Sequence, residues 1–152
     1  MPRDEAATVV ATESGAKPAP APETRLSIVP ARKDLADILL RPAAVAVIGA
    51  GNEPGDARGR ALHLLRQYDF RGHVYPVNAS RRLVQGTHAW PALSALPGPA
   101  DQALILLEGD AAIDAVEACG RAHIPLAVIH DTLDGDDETR RARRERLIEA
   151  GR

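Results

Sequence analysis

The chain has 152 residues, of which 45% are hydrophobic but only 3% are aromatic. Lys and Arg number 19 against 21 Asp and Glu, so no overall basic field is present to hold a nucleic acid. No apolar run reaches the length of about 20 residues that spans a bilayer, and the amino terminus lacks the pattern of a secretory signal. These features predict a cytoplasmic protein without nucleic-acid or membrane partners.

Few residues have the spacing of a metal or catalytic site. Cys119 is the only cysteine, which excludes an internal disulfide and any zinc site built from two cysteines. Helical periodicity places it on an inward face, as a small core residue. The pair His130–Asp131 follows a predicted strand, where adjacent side chains point to opposite faces. The acidic residues from Asp131 to Glu138 lack the spacing of a calcium loop. We therefore predict no metal site and no catalytic residue.

The amino-terminal part differs from the rest in composition. Residues 1–32 show no sustained periodicity and include an alternation of Ala and Pro from Pro18 to Pro22. Such a segment favours extended chain and buries too little apolar surface to form a core. We expect a disordered tail over 1–32 and one compact domain over 33–152.

From residue 33 onward, apolar runs typical of buried strands alternate with amphipathic segments typical of helices. Asp34 is placed to cap a short helix that ends before Pro42. Strands are predicted at 45–49, 73–78, 102–107 and 125–130. Further helices are predicted at 57–68, at 91–96, from a cap at Asp110 onward, and at 136–150.

The alternation of strand and helix predicts the fold class. The helix over 57–68 has Ala61, Leu64, Leu65 and Tyr68 on the face expected to pack on a sheet. Repeated strand–helix units give a parallel, doubly wound sheet with right-handed crossovers, a Rossmann-like α/β fold. Four strands are visible in the sequence, and a fifth strand is expected to be missing.

The loop after the first predicted strand is rich in glycine. Gly49 and Gly51 permit a tight turn and a close approach of the backbone to a phosphate. The helix that follows offers free N–H groups to an anion, with Gly55 or Gly59 allowing close packing. The spacing is not a strict GxGxxG, so a glycine turn without a ligand stays open as an alternative. The candidate ligand contacts in this loop are Gly49, Ala50, Gly51, Asn52 and Gly55.

The end of the second predicted strand bears on the choice of nucleotide. NAD-binding sheets carry an acidic residue there, about 20 residues after the glycines, to bind the ribose hydroxyls. This chain has Asn78 instead, followed by Arg81 and Arg82. Guanidinium groups bind phosphate oxygens in pairs, which favours a ligand with an additional phosphate, such as NADP or coenzyme A. Solvated loop charges are the alternative interpretation of the two arginines.

Several of these segments resemble one family. The segments 45–50, 70–78, 84–86 and 90–93 are similar to the amino-terminal CoA-binding domain of NDP-forming acyl-CoA synthetases, a family related to the succinyl-CoA ligase alpha subunit. The same domain heads some protein acetyltransferases and also occurs alone. The resemblance implies that the glycine loop holds the phosphates of CoA and that the loop after Asn78 meets the adenosine end. It also implies a ligase or ATP-grasp partner, as a domain or subunit.

Two segments depart from the family pattern. Glu108–Gly109–Asp110 replaces a small apolar turn after the third strand, and His130–Asp131 begins a changed loop after the fourth. Carboxylates at this edge repel a diphosphate unless they point away. We interpret the chain as a module that binds CoA or acyl-CoA and is not catalytic by itself. The alternatives are a regulatory interaction domain that kept the fold without the ligand, and a fragment of an NADP-dependent oxidoreductase.

Overall fold

The computed structural model describes residues 33–130 and 135–152. The expected tail at 1–32, as well as Asp131 and Asp134 of the acidic cluster, lies outside these residues. The helices are α1 (Leu35–Leu40), α2 (Ala57–Gln67), α3 (Asp110–Arg121) and α4 (Asp137–Ala150), with a 3-10 turn at Leu93–Ala95. The strands are β1 (Ala44–Ile48), β2 (His73–Val77), β3 (Leu83–Val84), β4 (Thr87–His88), β5 (Gln102–Ile105) and β6 (Leu126–Ile129).

Four of the strands form one parallel sheet in the order β2-β1-β5-β6. In the register, Val45 of β1 pairs with Val74 of β2 on one side and with Gln102 of β5 on the other. The chain first moves outward from β1 to β2 and then crosses back to β5, so the strand order reverses beside β1. This confirms the predicted doubly wound parallel sheet, and its carboxyl edge at β1 is where ligands bind in such folds.

The sheet is covered on both faces, as the continuous apolar run of β1 predicts. Ala46 and Ile48 pack with buried residues of α3, which include Val116 and Cys119. Val45 and Val47 pack with Leu62 of α2 and with the β3–β4 hairpin on the opposite face. Because successive strand residues point to opposite faces, one strand supplies both cores.

The inward face of α2 differs from the predicted one. Ala61 and Leu65 do pack against the core, but the fully buried residue is Leu62, at 1% exposure. Leu64 and Tyr68, predicted to face the sheet, are 38% and 77% exposed. The prediction was wrong for these two residues because the close contact at Gly59, a turn before Leu62, fixes the rotation of the helix.

Three smaller predictions also need correction. The segment 91–96 forms only the 3-10 turn and not an α-helix. Gly109, and not Asp110, is the N-cap of α3. Asp34 occupies the N-cap position of α1, but its side chain makes no capping hydrogen bond. Asp136 caps α4, since its carboxylate accepts a hydrogen bond from the backbone N–H of Thr139. Hydrogen bonds from the side chain and from the backbone of Thr139 lower the pKa of Asp136.

The amino-terminal side of the sheet is held by two polar side chains. The Asp101 carboxylate accepts hydrogen bonds from Lys33 Nζ at 2.6 Å and from the backbone N–H of Ala43 at 2.6 Å. Burial opposes ionisation of this carboxyl, but these hydrogen bonds outweigh it and keep the pKa of Asp101 below its ordinary value of 3.8. Gln102 donates from Nε2 to the backbone carbonyl oxygens of Ile38 and Leu39, at 2.6 and 2.9 Å, and so ties the end of α1 to β5.

Candidate functional site

A cavity of about 660 Å³ lies at the carboxyl ends of β1 and β2 and against α3. Its base and one wall are apolar, and they include small alanine side chains of α3 at positions 111, 115 and 118. Its polar rim is formed by Arg58, Asn78, Ser80, Arg81 and Asp114. The cavity therefore sits at the reversal of strand order beside β1, with an apolar interior and a mostly basic mouth.

Gly49 forms the turn from β1 into this cavity. Its φ of +81° lies in the left-handed region, where a side chain is strained, and an added Cβ would lie 2.7 Å from Leu107 Cδ2. Leu107 itself lines the cavity. The backbone N–H of Gly49 donates to the Val77 carbonyl at 2.9 Å, which joins the ends of β1 and β2. A larger residue at this position would strain the turn and collide with Leu107.

The other glycines of the loop have unequal structural importance. An added Cβ at Gly59 would lie 1.9 Å from the carbonyl oxygen of Glu53, so the loop backbone crosses directly over the first turn of α2. Gly51 is less tightly packed, with a Cβ 3.1 Å from Arg58 Cβ. Gly55 has nothing within 4 Å. Of the two glycines predicted to allow close packing of the helix, only Gly59 does so, and its contact is with the loop rather than with a strand.

The start of α2 borders the cavity. Asp56 is the N-cap residue, but its side chain makes no capping hydrogen bond. The first N–H groups of a helix lack partners within the helix and carry a partial positive charge, so they favour an anion. Arg58, in this first turn, lines the cavity beside Gly49. Arg58 is a candidate anion contact that the sequence analysis missed, although its position just after the glycine loop could have indicated it.

Asn78 connects the two loops that border the cavity. Its Nδ2 donates to the carbonyl of Ala50 at 2.9 Å, and its Oδ1 accepts from the backbone N–H groups of Ser80 and Arg81 at 2.9 and 3.0 Å. Both ends of the amide are therefore used within the protein. Asn78 lines the cavity, but its arrangement is that of a residue that positions the glycine loop and the arginine loop relative to each other.

Gln85 makes a second connection to the glycine loop, one that sequence reasoning did not identify. It lies in the two-residue turn between β3 and β4, where Gln85 and Gly86 both have positive φ. Its Nε2 donates to the carbonyls of Gly51 and Gly59 at 3.0 and 2.8 Å, and its backbone N–H donates to Asn52 Oδ1 at 2.9 Å. Asn52 is thus engaged with the hairpin. The segment 84–86 belongs to the family resemblance, but nothing in the sequence indicated that Gln85 binds the glycine loop.

The two arginines predicted from the sequence, Arg81 and Arg82, both line a second, smaller cavity. Arg81 lines the large cavity and also a smaller cavity of about 440 Å³, which Arg82 and His88 help to form. The two cavities share the segment from Asn78 to Arg81. His88 makes an edge contact with Trp90 at 4.8 Å between ring centroids. The smaller cavity is therefore a basic recess with aromatic side chains beside it, adjoining the larger one.

The predicted contact residues are only partly brought together. Gly49, Asn78 and Arg81 line the large cavity, and Arg82 lines the small one. Ala50 is fully buried behind the loop, and Gly51, Asn52 and Gly55 line neither cavity.

The acidic residues that depart from the family pattern do not crowd this edge. Asp110 points toward α4, where its Oδ1 lies 2.8 Å from Arg146 NH1 and 3.9 Å from Arg143 Nε. Glu108 is exposed and lines neither cavity. His130 is also exposed, while its partner Asp131 lies outside the described residues. Glu108 and Asp110 line neither cavity, and Asp110 is paired with arginines of α4. Their repulsion of a bound diphosphate is therefore smaller than the sequence predicts.

Other candidate groups are inert in this structure. Cys119 is 2% exposed, and burial raises the pKa of its thiol to about 11. Cys119 is a core residue, as predicted. A buried neutral thiol is also a poor nucleophile. Within residues 33–130 and 135–152, no group of three or more His, Cys, Asp or Glu side chains is placed to hold a metal ion. No helix in these ranges is long and apolar enough to cross a membrane.

Sequence comparison gives consistent relatives. A trans-feruloyl-CoA synthase from an unknown prokaryotic organism is 35% identical over 94 residues, which is 62% of this chain and 13% of that protein. The alpha subunit of the acetate–CoA ligase [ADP-forming] II of Pyrococcus furiosus is 32% identical over 61% of this chain and 20% of that protein. The chain thus spans a fifth or less of the length of these two relatives.

Solved structures agree with the sequence relatives. The apo form of the dinucleotide forming acetyl-coenzyme A synthetase 1 of Ca. Korarchaeum cryptofilum has a TM-score of 0.66 and 28% identity over 76% of this chain and 26% of that one. A hypothetical protein from Pyrococcus horikoshii, 19% identical with a TM-score of 0.58, shares the fold. A family model described as a CoA-binding domain matches residues 43–151. The chain therefore belongs to the CoA-binding domain family, in the form that resembles the amino-terminal part of ADP-forming acyl-CoA synthetases.

Proposed function

We propose that the chain binds CoA or acyl-CoA in the 660 Å³ cavity and supplies no ligase chemistry by itself. The observation that carries this proposal is the combination at one sheet edge of Gly49 with its positive φ, a helix start without a side-chain cap, and two arginines on the cavity rim, Arg58 and Arg81. Backbone N–H groups and guanidinium forks are the donors that proteins use for phosphate. The family membership supports CoA as the phosphate-bearing ligand.

The residues present suit the diphosphate of CoA. Gly49 lines the cavity without a side chain, and Arg58 extends from the first turn of α2 onto the cavity rim. We assign the diphosphate contacts to the start of α2 and to Arg58, next to Gly49. Asn78 holds the glycine loop against the next loop rather than binding the ligand through its amide.

We assign the phosphorylated ribose to the smaller cavity. Arg81 and Arg82 line it, together with His88. Arginine binds phosphate oxygens in pairs, and the two cavities share the segment from Asn78 to Arg81, so one extended ligand can reach both. The apolar wall of α3 alanines in the large cavity then remains for the uncharged part of CoA.

The ligase chemistry is assigned to a partner. The acetate–CoA ligase relatives are longer proteins that this chain matches over a fraction of their length, such as 20% for the Pyrococcus furiosus subunit. We assign only ligand binding to the cavity. We propose that an ATP-grasp domain or subunit supplies activation of the acid.

Isothermal titration calorimetry with CoA, dephospho-CoA, NADP and NAD tests this function. We expect CoA to bind best, and Arg81→Ala with Arg82→Ala to weaken CoA much more than dephospho-CoA. The matched control is Arg71→Ala with Arg121→Ala, which removes the same charge from two exposed residues that line neither cavity. Equal losses for CoA and dephospho-CoA would overturn the assignment of the two arginines. A folded chain that gives no heat with CoA would overturn the function.

A further inference from the structure

Asp114 is the one acidic side chain on the rim of the large cavity, judged over the residues that the structure describes. It lies on α3 one turn after Asp110, and residues at i and i+4 are neighbours on a helix surface. The two carboxylates therefore repel each other. The negative charge of Asp114 also offsets the positive charge of Arg58 and Arg81 on the same rim, and it repels any phosphate that they attract.

Arg146 of α4 bridges these two carboxylates. Its NH1 lies 2.8 Å from Asp110 Oδ1, and its NH2 lies 3.7 Å from Asp114 Oδ1. One guanidinium therefore compensates both acids from the side of α3 that faces α4. Arg143 also contacts Asp110, with its Nε 3.9 Å from Asp110 Oδ1, whereas Asp114 is contacted by Arg146.

We infer that Arg146 is a positioning residue for the CoA site: it neutralises Asp114 and holds its carboxylate on the α4 side, so that the cavity accepts a phosphate-bearing ligand. This inference rests on the proposed function. Arg146 does not line the cavity, so its influence on the ligand acts through Asp114. Half of the Arg146 side chain and most of Asp114 are exposed, so solvent limits the size of the effect.

The test is a set of substitutions read by calorimetry with CoA at low ionic strength. Arg146→Ala should weaken CoA binding by about two- to fivefold, the range of an exposed ion pair. In the Asp114→Asn background the same substitution should leave CoA binding unchanged, because no carboxylate remains on the cavity rim and Asp110, which Arg146 also contacts, lines neither cavity. Asp114→Asn alone should tighten CoA binding, and Arg146→Lys, which keeps the charge but not the two guanidinium contacts, should weaken it less than Arg146→Ala does.

Arg144→Ala is the matched control, since Arg144 is an exposed residue of α4 that lines neither cavity. It removes the same charge and should change the dissociation constant less than Arg146→Ala does. The inference is overturned if Arg146→Ala and Arg144→Ala bind CoA equally well. It is also overturned if Arg146→Ala still weakens CoA binding in the Asp114→Asn background, or if Asp114→Asn alone weakens CoA binding. A wild-type chain that does not bind CoA overturns the proposed function itself, so the two failures are distinguishable.

Discussion

Asn78 and Ala50 are joined across the carboxyl edge of the sheet by a hydrogen bond of 2.9 Å, from the side-chain amide of one to the backbone carbonyl of the other. The same amide accepts two backbone N–H groups of its own loop through its oxygen. A single side chain thus connects the glycine loop after β1 to the arginine loop after β2. Its position between the two proposed phosphate contacts makes it the first residue to test.

Asn78→Ala should destabilise the fold by about 1–3 kcal/mol, because it leaves the Ala50 carbonyl and two loop N–H groups without their partner. Asn78→Asp keeps the oxygen that accepts from the loop N–H groups but places a carboxylate oxygen against the Ala50 carbonyl. We therefore expect Asn78→Asp to be destabilised as well, and both variants to bind CoA more weakly than the wild type. Urea unfolding and calorimetry measure the two quantities. If Asn78→Ala unfolds at the wild-type urea concentration, the connection does not stabilise the loops.

Gly49→Ala should lower the free energy of unfolding and weaken CoA binding. The alanine would have to adopt a φ of +81° and would contact Leu107, at a cost of about 1–3 kcal/mol. Gly55→Ala is the matched control, since a Cβ there meets open space, and its free energy of unfolding should stay within about 0.5 kcal/mol of the wild type. Equal effects of the two substitutions, measured by urea unfolding, would contradict the distinction drawn between these glycines.

Gln85→Glu should destabilise the chain by about 1–3 kcal/mol, because a carboxylate oxygen replaces the donor that faces the Gly51 and Gly59 carbonyls. Gln67→Glu makes the same change in charge at an exposed position of α2. Thermal unfolding of the two variants gives the comparison. A melting temperature for Gln85→Glu no lower than that for Gln67→Glu would show that the hairpin does not support the glycine loop.

The pH dependence of stability should include a contribution from Asp101. Its pKa is lower in the folded state than its ordinary value of 3.8, so ionised Asp101 stabilises the fold above that pH, and the contribution is lost as the pH falls through the folded pKa. Asp101→Asn should therefore lower the free energy of unfolding at about pH 7 and differ less from the wild type below pH 3.8. The exposed Asp69→Asn is the control. A difference between wild type and Asp101→Asn that grows on acidification would contradict this sign.

The fold could be predicted because its signals are local. The run from Val45 to Ile48 is apolar at every position, as a strand buried on both faces requires, and the sheet places it at the centre. The rotation of α2 could not be predicted in the same way. Leu62 and Leu64 are equally apolar, and the choice between them depends on the contact between Gly59 and the Glu53 backbone.

The site was predicted less completely, for a related reason. The glycine loop and the arginines after β2 could be located from their positions at strand ends. The roles of Asn78 and Gln85 depend on contacts between segments that are 28 and 34 residues apart, and such contacts leave no periodic pattern in a sequence. The pairing of Asp110 with Arg146, 36 residues later, is of the same kind.

The central claim is that CoA binds at the carboxyl edge of β1 and β2. A titration of the isotopically labelled chain with CoA, followed by amide chemical shifts in NMR spectra, tests it most directly. We predict saturable shifts that are concentrated in residues 49–59, 78–82 and 88–93, with those of α1 and of the amino-terminal ends of the strands unchanged. An absence of shifts at saturating CoA, or shifts confined to other parts of the domain, would contradict the account.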